Sequence, residues 1–304
     1  MQDAEVLRFS TAREITYEDL LCGRVVRDLD IFGYLYMPKA ASAGIPVVAI
    51  SVGSLGFSSG REELYARALT DVGIGALVVD GYSTRGISET ATGQGQLSMA
   101  ASCCDALTAV AMIQDHPNVD PTRIGIMGYS RGGQVATAAC HRRLQARVLE
   151  GAHPVAAHLA LYPSMLPCWR VPEPTAAPLL FLIPADDDLA PPAKSMRYAE
   201  AVAKAGGTIE TRSYENARHA FDSLVVDQTV NTLNLNDCAM MIESDGRVVE
   251  DLTGVEQRGS WAEFLLRLES ERGRTLGTLG NAGRPRERAV ADVQDFFQRV
   301  LSRG

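Results

Sequence analysis

The sequence predicts an α/β protein with a mostly parallel central sheet and helices on both faces. Short apolar stretches of strand length alternate along the chain with longer stretches whose apolar residues have helical spacing. The apolar strands are continuous rather than alternating, which is typical of strands buried under helices on both faces. The 304 residues, 46% of them hydrophobic and 22% charged, are enough for a large buried core.

The predicted elements follow one another as repeated strand–helix units. We predict strands at residues 30–38, 46–52, 75–80, 123–128, 156–163, 178–184 and 208–214. We predict helices at residues 61–73, 97–114, 133–145, 192–206 and 286–301. In an open sheet of this kind, functional sites form beyond the carboxyl ends of the strands. We therefore expect the functional side chains in the loops that follow the strands.

Residues 223–283 interrupt this alternation between the last predicted strand and the last helix. The segment of about 60 residues is much longer than an ordinary connection. It contains a hairpin-like stretch with an Asp-Gly turn at 245–246, and a helical stretch that begins near Trp261. We expect a single domain over residues 1–304, in which 223–283 form an insertion or lid-like subdomain. The alternatives are a surface elaboration and a homodimer contact.

Composition argues against several classes of function. The net charge of −8 disfavours nucleic-acid binding, and no stretch approaches the roughly 20 apolar residues that span a bilayer. No phosphate-binding glycine motif is present, and the start of the chain lacks the apolar core of a signal peptide. The six cysteines are scattered, and no Cys/His cluster has zinc spacing. We expect a cytoplasmic protein with reduced thiols, no metal, no organic cofactor, and no nucleic-acid or membrane partner.

A serine lies in the Gly-rich stretch "GYSRG" at residues 128–132, which matches the pattern G-x-S-x-G. It follows a predicted strand and precedes a predicted helix, the context in which this pattern places a nucleophile on a sharp turn. Bulk two residues before or after the serine would clash with the neighbouring strand and helix, and glycine avoids that clash at Gly128 and Gly132. We predict that Ser130 is a nucleophile. A tight turn that only needs small residues is the alternative.

A serine hydroxyl needs a base within hydrogen-bond reach. In folds that carry this motif, an acid and then a histidine follow the serine along the chain. Of the five histidines, only His219 lies after the strand at 178–184 that would carry the acid; the others are His116, His141, His153 and His158. The loop after that strand reads "ADDDLAPP" and offers Asp186, Asp187 and Asp188, between which chain order does not choose.

Two backbone N–H groups are expected to stabilise the oxyanion of the reaction. One belongs to Arg131, the residue after the proposed nucleophile. The other is expected from the loop "GSLGF" at residues 53–57, whose glycines let the backbone approach a substrate oxygen. Ser54 and Leu55 are equal candidates for this second donor.

Taken together, these stretches resemble the α/β-hydrolase fold and, more closely, the dienelactone hydrolase family. The resemblance covers roughly residues 28–222 and the final helix, and it is carried by "GYLYMP", "PVVAISVGSLG", "VVDGYSTRG", "VDPTRIGIMGYSRGG", "ADDDLAPP" and "YENARHAFD". In that family the acid lies four residues before a proline, a spacing that Asp187 and Pro191 match. The resemblance also implies that Arg85 contacts a substrate carboxylate; a structural salt bridge is the alternative.

The sequence departs from the family pattern at three places. Ser130 stands where the namesake enzymes have cysteine, and "HAFDSL" lacks a second substrate-binding arginine after the histidine. Val52 and Gly53 stand where other α/β-hydrolases have a His-Gly pair. The serine indicates an esterase-like relative rather than an enzyme for dienelactone itself.

We therefore predict a serine hydrolase that cleaves a small carboxylic ester or lactone through an acyl-enzyme. Ser130, His219 and Asp187 would form the triad. The alternatives are cleavage of a thioester, peptide or carbon–carbon bond, acyl transfer by the same triad, and a ligand-binding protein without catalytic activity.

Overall fold

The computed structural model describes residues 4–39, 43–223, 228–280 and 285–302. The strands are β1 (Glu5–Thr11), β2 (Leu29–Tyr36), β3 (Ile45–Ser51), β4 (Gly75–Asp80), β5 (Val119–Tyr129), β6 (Ala157–Leu161), β7 (Cys168–Trp169), β8 (Leu179–Pro184), β9 (Ile209–Tyr214), β10 (Gln228–Leu233), β11 (Met240–Ile242), β12 (Val248–Glu250), β13 (Val255–Glu256) and β14 (Arg274–Leu279). The helices are α1 (Tyr17–Cys22), α2 (Arg61–Asp71), α3 (Met99–Ile113), α4 (Arg131–Ala138), α5 (Arg142–Val148), α6 (Pro192–Lys204), α7 (Trp261–Arg272) and α8 (Pro285–Leu301).

An eight-stranded sheet forms the centre of the molecule, in the order β1-β2-β4-β3-β5-β6-β8-β9. β1 and β2 run antiparallel to their neighbours, and the pairs from β4 to β9 are parallel. Strands β4, β6 and β8 are buried along their whole length, as their continuous apolar sequences predict. Helices α2 and α8 contact each other and the sheet, as do α3 and α4. The predicted α/β class with a mostly parallel sheet is confirmed.

The structure differs from the predicted elements in two places that tertiary contacts explain. β1 and α1 were not predicted, and β1 adds an antiparallel edge beside β2. The predicted helix 133–145 is two helices, which are separated at His141 by an extended backbone conformation. There the chain pairs with residues near Pro174, because Arg142 N–H donates to Glu173 O and Thr175 N–H donates to Cys140 O. Long-range pairing has replaced helical hydrogen bonds at this point.

The segment after β9 folds into two small sheets and one helix. β10 pairs with β14, and β11, β12 and β13 form a sheet that β7 extends from the main body of the molecule. The predicted hairpin around residues 245–246 is present as β11 and β12, and the predicted helix is present as α7. Residues 224–227 and 281–283 of the predicted insertion lie outside the described residues. We refer to residues 228–280 as the cap.

Two buried histidines, His141 and His158, are surrounded by protein atoms. His158 is completely buried, with Nδ1 at 3.1 Å from Ala136 O and Nε2 at 3.2 Å from Gln145 Nε2. His141 stacks on the Trp169 ring at a centroid distance of 3.8 Å. Because burial disfavours the charged imidazolium, the pKa of each histidine is lowered to about 4.

We predict that folding stability falls as the pH drops from about 6.5 to about 4. In this window the unfolded chain binds protons that the folded chain does not, so each histidine costs on the order of 3 kcal/mol at the acid end. Urea denaturation at several pH values measures the slope of stability against pH. The His158→Gln variant should have a shallower slope than the wild type, and an equal slope would contradict this account.

Candidate active site

Ser130 lies at the turn between β5 and α4, at the carboxyl end of a central parallel strand. Its φ of 54° and ψ of −116° place a non-glycine residue in a strained backbone region. The Ser130 N–H donates to Leu161 O at 2.9 Å, and the Ser130 carbonyl accepts from Gln134 N at 3.0 Å. Backbone bonds to β6 and α4 therefore hold the serine in this conformation.

The glycines on either side of Ser130 leave no room for a side chain. A Cβ at Gly128 would lie 2.3 Å from the backbone carbonyl of Gly132, and a Cβ at Gly132 would lie 2.0 Å from Ser51 O. The contacts join β5 to α4 and α4 to the end of β3. The sequence predicted that bulk at these two positions would clash with the neighbouring strand and helix, and the structure contains those close approaches.

The structure brings Ser130, His219 and Asp187 together in one hydrogen-bonded chain. His219 Nε2 lies 2.8 Å from Ser130 Oγ, and His219 Nδ1 lies 2.8 Å from Asp187 Oδ2. The Asp187 side chain is completely buried and that of His219 is nearly so. The three residues follow β5, β8 and β9, so adjacent ends of the central sheet deliver all three side chains.

The three aspartates after β8 have different environments. Asp187 is buried, and its second carboxylate oxygen accepts from the backbone N–H of Leu189 at 2.9 Å and of Ala190 at 2.7 Å. Asp186 and Asp188 are exposed. Asp188 accepts from the Thr278 N–H at 2.9 Å and so contacts the cap. Asp187 is therefore the carboxylate that meets the histidine, and its turn fixes the direction in which it points.

The loop after β3 approaches Ser130 from the other side. Gly53, Ser54 and Leu55 line the same cavity as Ser130 and Arg131. Thr90 N–H donates to Ser54 O at 2.7 Å, and the Tyr82 hydroxyl lies 3.3 Å from Gly53 O. The loop carbonyls are thus occupied by other parts of the chain. Both candidate donors, Ser54 and Leu55, belong to this part of the cavity wall.

Arg85 does not reach this cavity. Its guanidinium pairs with the buried Asp105 carboxylate through Nη1 at 2.8 Å and Nη2 at 3.0 Å. The remaining N–H groups donate to the backbone carbonyls of Ala12, Arg13 and Gly81. The expected contact between Arg85 and a substrate carboxylate is therefore corrected: Arg85 forms the structural salt bridge that was the alternative.

A buried polar cluster lies beneath the histidine, and the sequence analysis did not identify it. Asp222 is completely buried and accepts from Tyr162 Oη at 2.5 Å and Tyr65 Oη at 2.7 Å. Arg61 donates to Tyr162 Oη at 2.7 Å and lies 3.5 Å from the Asp222 carboxylate. The Tyr162 ring packs edge-on against His219 at 4.9 Å between centroids. The stretch "HAFD" at residues 219–222 was the one sequence feature that pointed to this cluster, because it places an acid three residues after the histidine.

The charges of this cluster are balanced inside the protein. Burial raises the pKa of Tyr65 and Tyr162 well above the usual value, so these residues act as neutral hydrogen-bond donors. Burial opposes the charge on Arg61, but the surrounding oxygens of Tyr162 and Asp222 outweigh it and raise the pKa of Arg61. The Arg61 guanidinium therefore stays charged and links Tyr162 and Asp222 beneath His219.

The cavity above Ser130 is partly open to solvent. One wall comes from residues that precede the cap in the chain. The other comes from the cap, which contributes residues from β10, β11, β14, α7 and the stretch between β10 and β11. Gly280 N–H donates to His219 O at 3.0 Å, so the cap is attached to the histidine itself.

Within the described ranges, no group of three or more His, Cys, Asp or Glu side chains is arranged to hold a metal ion. No helix in the described part of the chain is long and apolar enough to cross a membrane.

The profile of the dienelactone hydrolase family matches residues 31–230, about two thirds of the chain. The chain belongs to the dienelactone hydrolase family. It is a hydrolase, and its strand order and the sharp turn at Ser130 are those of an α/β-hydrolase fold. A search of curated proteins finds no significant match.

Solved structures of esterase 2 from Thermogutta terrifontis have the same fold as this hydrolase. The native esterase is 18% identical, covers 73% of this chain and 85% of its own, and superposes with a TM-score of 0.55. The form phosphorylated by paraoxon is 20% identical, covers 74% of this chain and 86% of its own, and has a TM-score of 0.54. About a quarter of the present chain has no counterpart in those structures.

We predict that the Gly132→Ala variant loses the sharp turn at Ser130. A methyl group at 2.0 Å from the Ser51 carbonyl forces apart α4 and β3, which should lower stability by several kcal/mol or prevent folding. Thermal melting of the purified variant measures this effect. The Ser130→Ala variant is the control, because it removes only a hydroxyl from the same turn and should melt close to the wild type. A Gly132→Ala protein with unchanged melting would contradict the proposed packing.

We predict that the Asp222→Asn variant is destabilised by about 3 kcal/mol or more, because the buried Arg61 charge then lacks its carboxylate. Urea denaturation near pH 7 measures the loss. The Asp251→Asn variant removes a carboxylate from the solvent-accessible pair with Arg170 and should cost less than about 1 kcal/mol. Equal losses in the two variants would contradict a special role for the cluster beneath His219.

Proposed function

We propose that this protein is a serine hydrolase that cleaves a small carboxylic ester or lactone through an acyl-enzyme. The observation that carries the proposal is the hydrogen-bonded chain Ser130–His219–Asp187, whose Ser130 and His219 line a cavity that is partly open to solvent. Membership of the dienelactone hydrolase family supports ester hydrolysis as the reaction class. The esterases that share the fold support the same class.

In the acylation step, Ser130 Oγ attacks the carbonyl carbon of the substrate. His219 Nε2 takes the hydroxyl proton as the bond forms, since it already lies 2.8 Å from Oγ. Asp187 accepts a hydrogen bond from Nδ1–H, which keeps Nε2 free to act as the base and stabilises the imidazolium. His219 then donates its proton to the leaving alkoxide, and the acyl group remains on Ser130.

The developing oxyanion needs preorganised donors. The Arg131 N–H belongs to the first turn of α4, where helical hydrogen bonding leaves N–H groups available. We propose that it acts together with an N–H of Ser54 or Leu55, because that loop lines the same cavity. Each such donor is typically worth about 3–4 kcal/mol of barrier. The positive end of α4 adds to this stabilisation.

Deacylation repeats the same chemistry with water. His219 takes a proton from a water molecule, the resulting hydroxide attacks the acyl carbon, and the proton passes back to Ser130 as the ester bond to the enzyme breaks. The products are a carboxylic acid and a free enzyme. With a lactone, acid and alcohol remain in one molecule.

We predict that Ser130→Ala and His219→Ala each lower kcat for p-nitrophenyl acetate by at least roughly 1000-fold, because the nucleophile or its base is lost. Steady-state release of p-nitrophenol measures kcat. Ser270→Ala is the matched control, because Ser270 is an exposed residue on α7 whose hydroxyl donates to the Arg267 carbonyl. Turnover by Ser130→Ala at the wild-type rate would refute the mechanism. Analysis of products with water and with an alcohol acceptor separates hydrolysis from acyl transfer.

A further inference from the structure

The cap supplies an apolar wall to the cavity over Ser130. Its contributions to the lining are mostly apolar side chains: Val230, Leu233, Leu235, Met240, Trp261, Leu265 and Leu279. The main domain adds Leu55, Met99, Leu166 and Leu189 to the opposite wall. The cap polar residues in the lining, Thr232 and Asn236, are uncharged and bond the main domain. A ligand in this space therefore meets chiefly apolar surface.

Charge is almost absent from the same lining. Among the described residues, no aspartate, glutamate or lysine lines it, and its two guanidinium groups belong to Arg61 and Arg131. Arg61 is committed to Tyr162 and Asp222. Arg131 Nη2 donates to Leu97 O at 2.5 Å and to Ser102 Oγ at 3.2 Å.

The Arg131 side chain is buried, and its Nε is inaccessible and has no hydrogen-bond partner among the described residues. The Arg85 guanidinium pairs with the buried Asp105 carboxylate at 2.8 Å and 3.0 Å. Arg85 is fully occupied by this pairing. Arg61 and Arg131, the guanidinium groups in the lining, already bond protein groups. A substrate carboxylate in the cavity would therefore be buried without a partner for its charge, which is costly.

We propose that the substrate is uncharged and that an apolar group on one side of its ester bond lodges under the cap, against Val230, Leu233 and Leu265. This inference rests on the proposed function. It distinguishes the chain from an enzyme for a carboxylate-bearing lactone. Each methylene that enters the cavity should raise kcat/KM by up to about fourfold, and a terminal carboxylate at the same length should remove that gain.

Two ester series test the preference of the wild-type enzyme. In the first, p-nitrophenyl acetate, butyrate and hexanoate lengthen the acyl side, and mono-p-nitrophenyl adipate has a carboxylate in place of the terminal methyl group of the hexanoate. In the second, ethyl, butyl and hexyl acetate lengthen the alcohol side. We expect kcat/KM to rise along at least one series, and the hexanoate to exceed the adipate by at least about 30-fold. Two flat series, or an adipate that reacts as well as the hexanoate, would overturn the proposal.

Two matched pairs of variants locate the preference in the cap. Val230 lines the cavity, whereas its neighbour Thr229 on β10 is exposed. Val230→Lys should shift the hexanoate-to-adipate ratio toward the adipate by at least about tenfold, and Thr229→Lys should leave the ratio unchanged. Leu265→Ala should reduce the gain in the responding chain-length series, whereas Leu266→Ala, on the exposed face of α7, should not. Ratios that do not move in Val230→Lys and Leu265→Ala would overturn the role of the cap.

Failure of this inference is distinct from failure of the proposed function. If p-nitrophenyl acetate is hydrolysed by the wild type and not by Ser130→Ala, the proposed function holds whatever the substrate preference. Preference for the adipate under that condition would overturn only the inference about the cavity. Absence of Ser130-dependent hydrolysis of every ester would overturn both.

Discussion

The His219 imidazole bridges two 2.8 Å contacts, one to Ser130 Oγ and one to Asp187 Oδ2, and every functional feature of the molecule converges on it. Three loops from different strands must end within hydrogen-bond distance of one another, and the parallel sheet provides this because β5, β6, β8 and β9 are neighbours in that order. The chain then leaves His219 and returns through the cap, whose Gly280 bonds the His219 carbonyl. The proposed triad and the cap wall of the cavity are therefore joined at His219 by a backbone hydrogen bond.

The buried cluster around Asp222 links His219 to other parts of the molecule. Asp222 lies three residues after His219 and is tied to α2 through Tyr65 and Arg61, and to the end of β6 through Tyr162. The same Tyr162 ring packs against the imidazole. Because α2 follows the loop at residues 53–57, the cluster also joins the proposed oxyanion loop to the histidine. The same buried cluster therefore helps to position both His219 and the proposed oxyanion loop.

Local patterns predicted the features that depend on neighbouring residues, and long-range packing decided the rest. The α/β class and most strands followed from continuous apolar stretches, and the serine turn followed from the glycines at 128 and 132, where a side chain has no space. Chain order singled out His219, but the choice of Asp187 came from a resemblance, and only its buried turn in the structure explains it. Arg85 could not be placed from sequence, because its partner Asp105 lies on α3, twenty residues away. The Asp222 cluster and the lining of the cap likewise consist of contacts between distant segments.

The most direct test of the central claim is the site at which a serine-directed organophosphate reacts. Paraoxon should add one diethyl phosphoryl group per chain, and peptide mapping by mass spectrometry should locate it on Ser130. The adduct should be absent from Ser130→Ala and should form far more slowly in His219→Ala, because the hydroxyl needs its base. An adduct on another residue, or none in the folded wild-type protein, would contradict the assignment of Ser130 as the nucleophile.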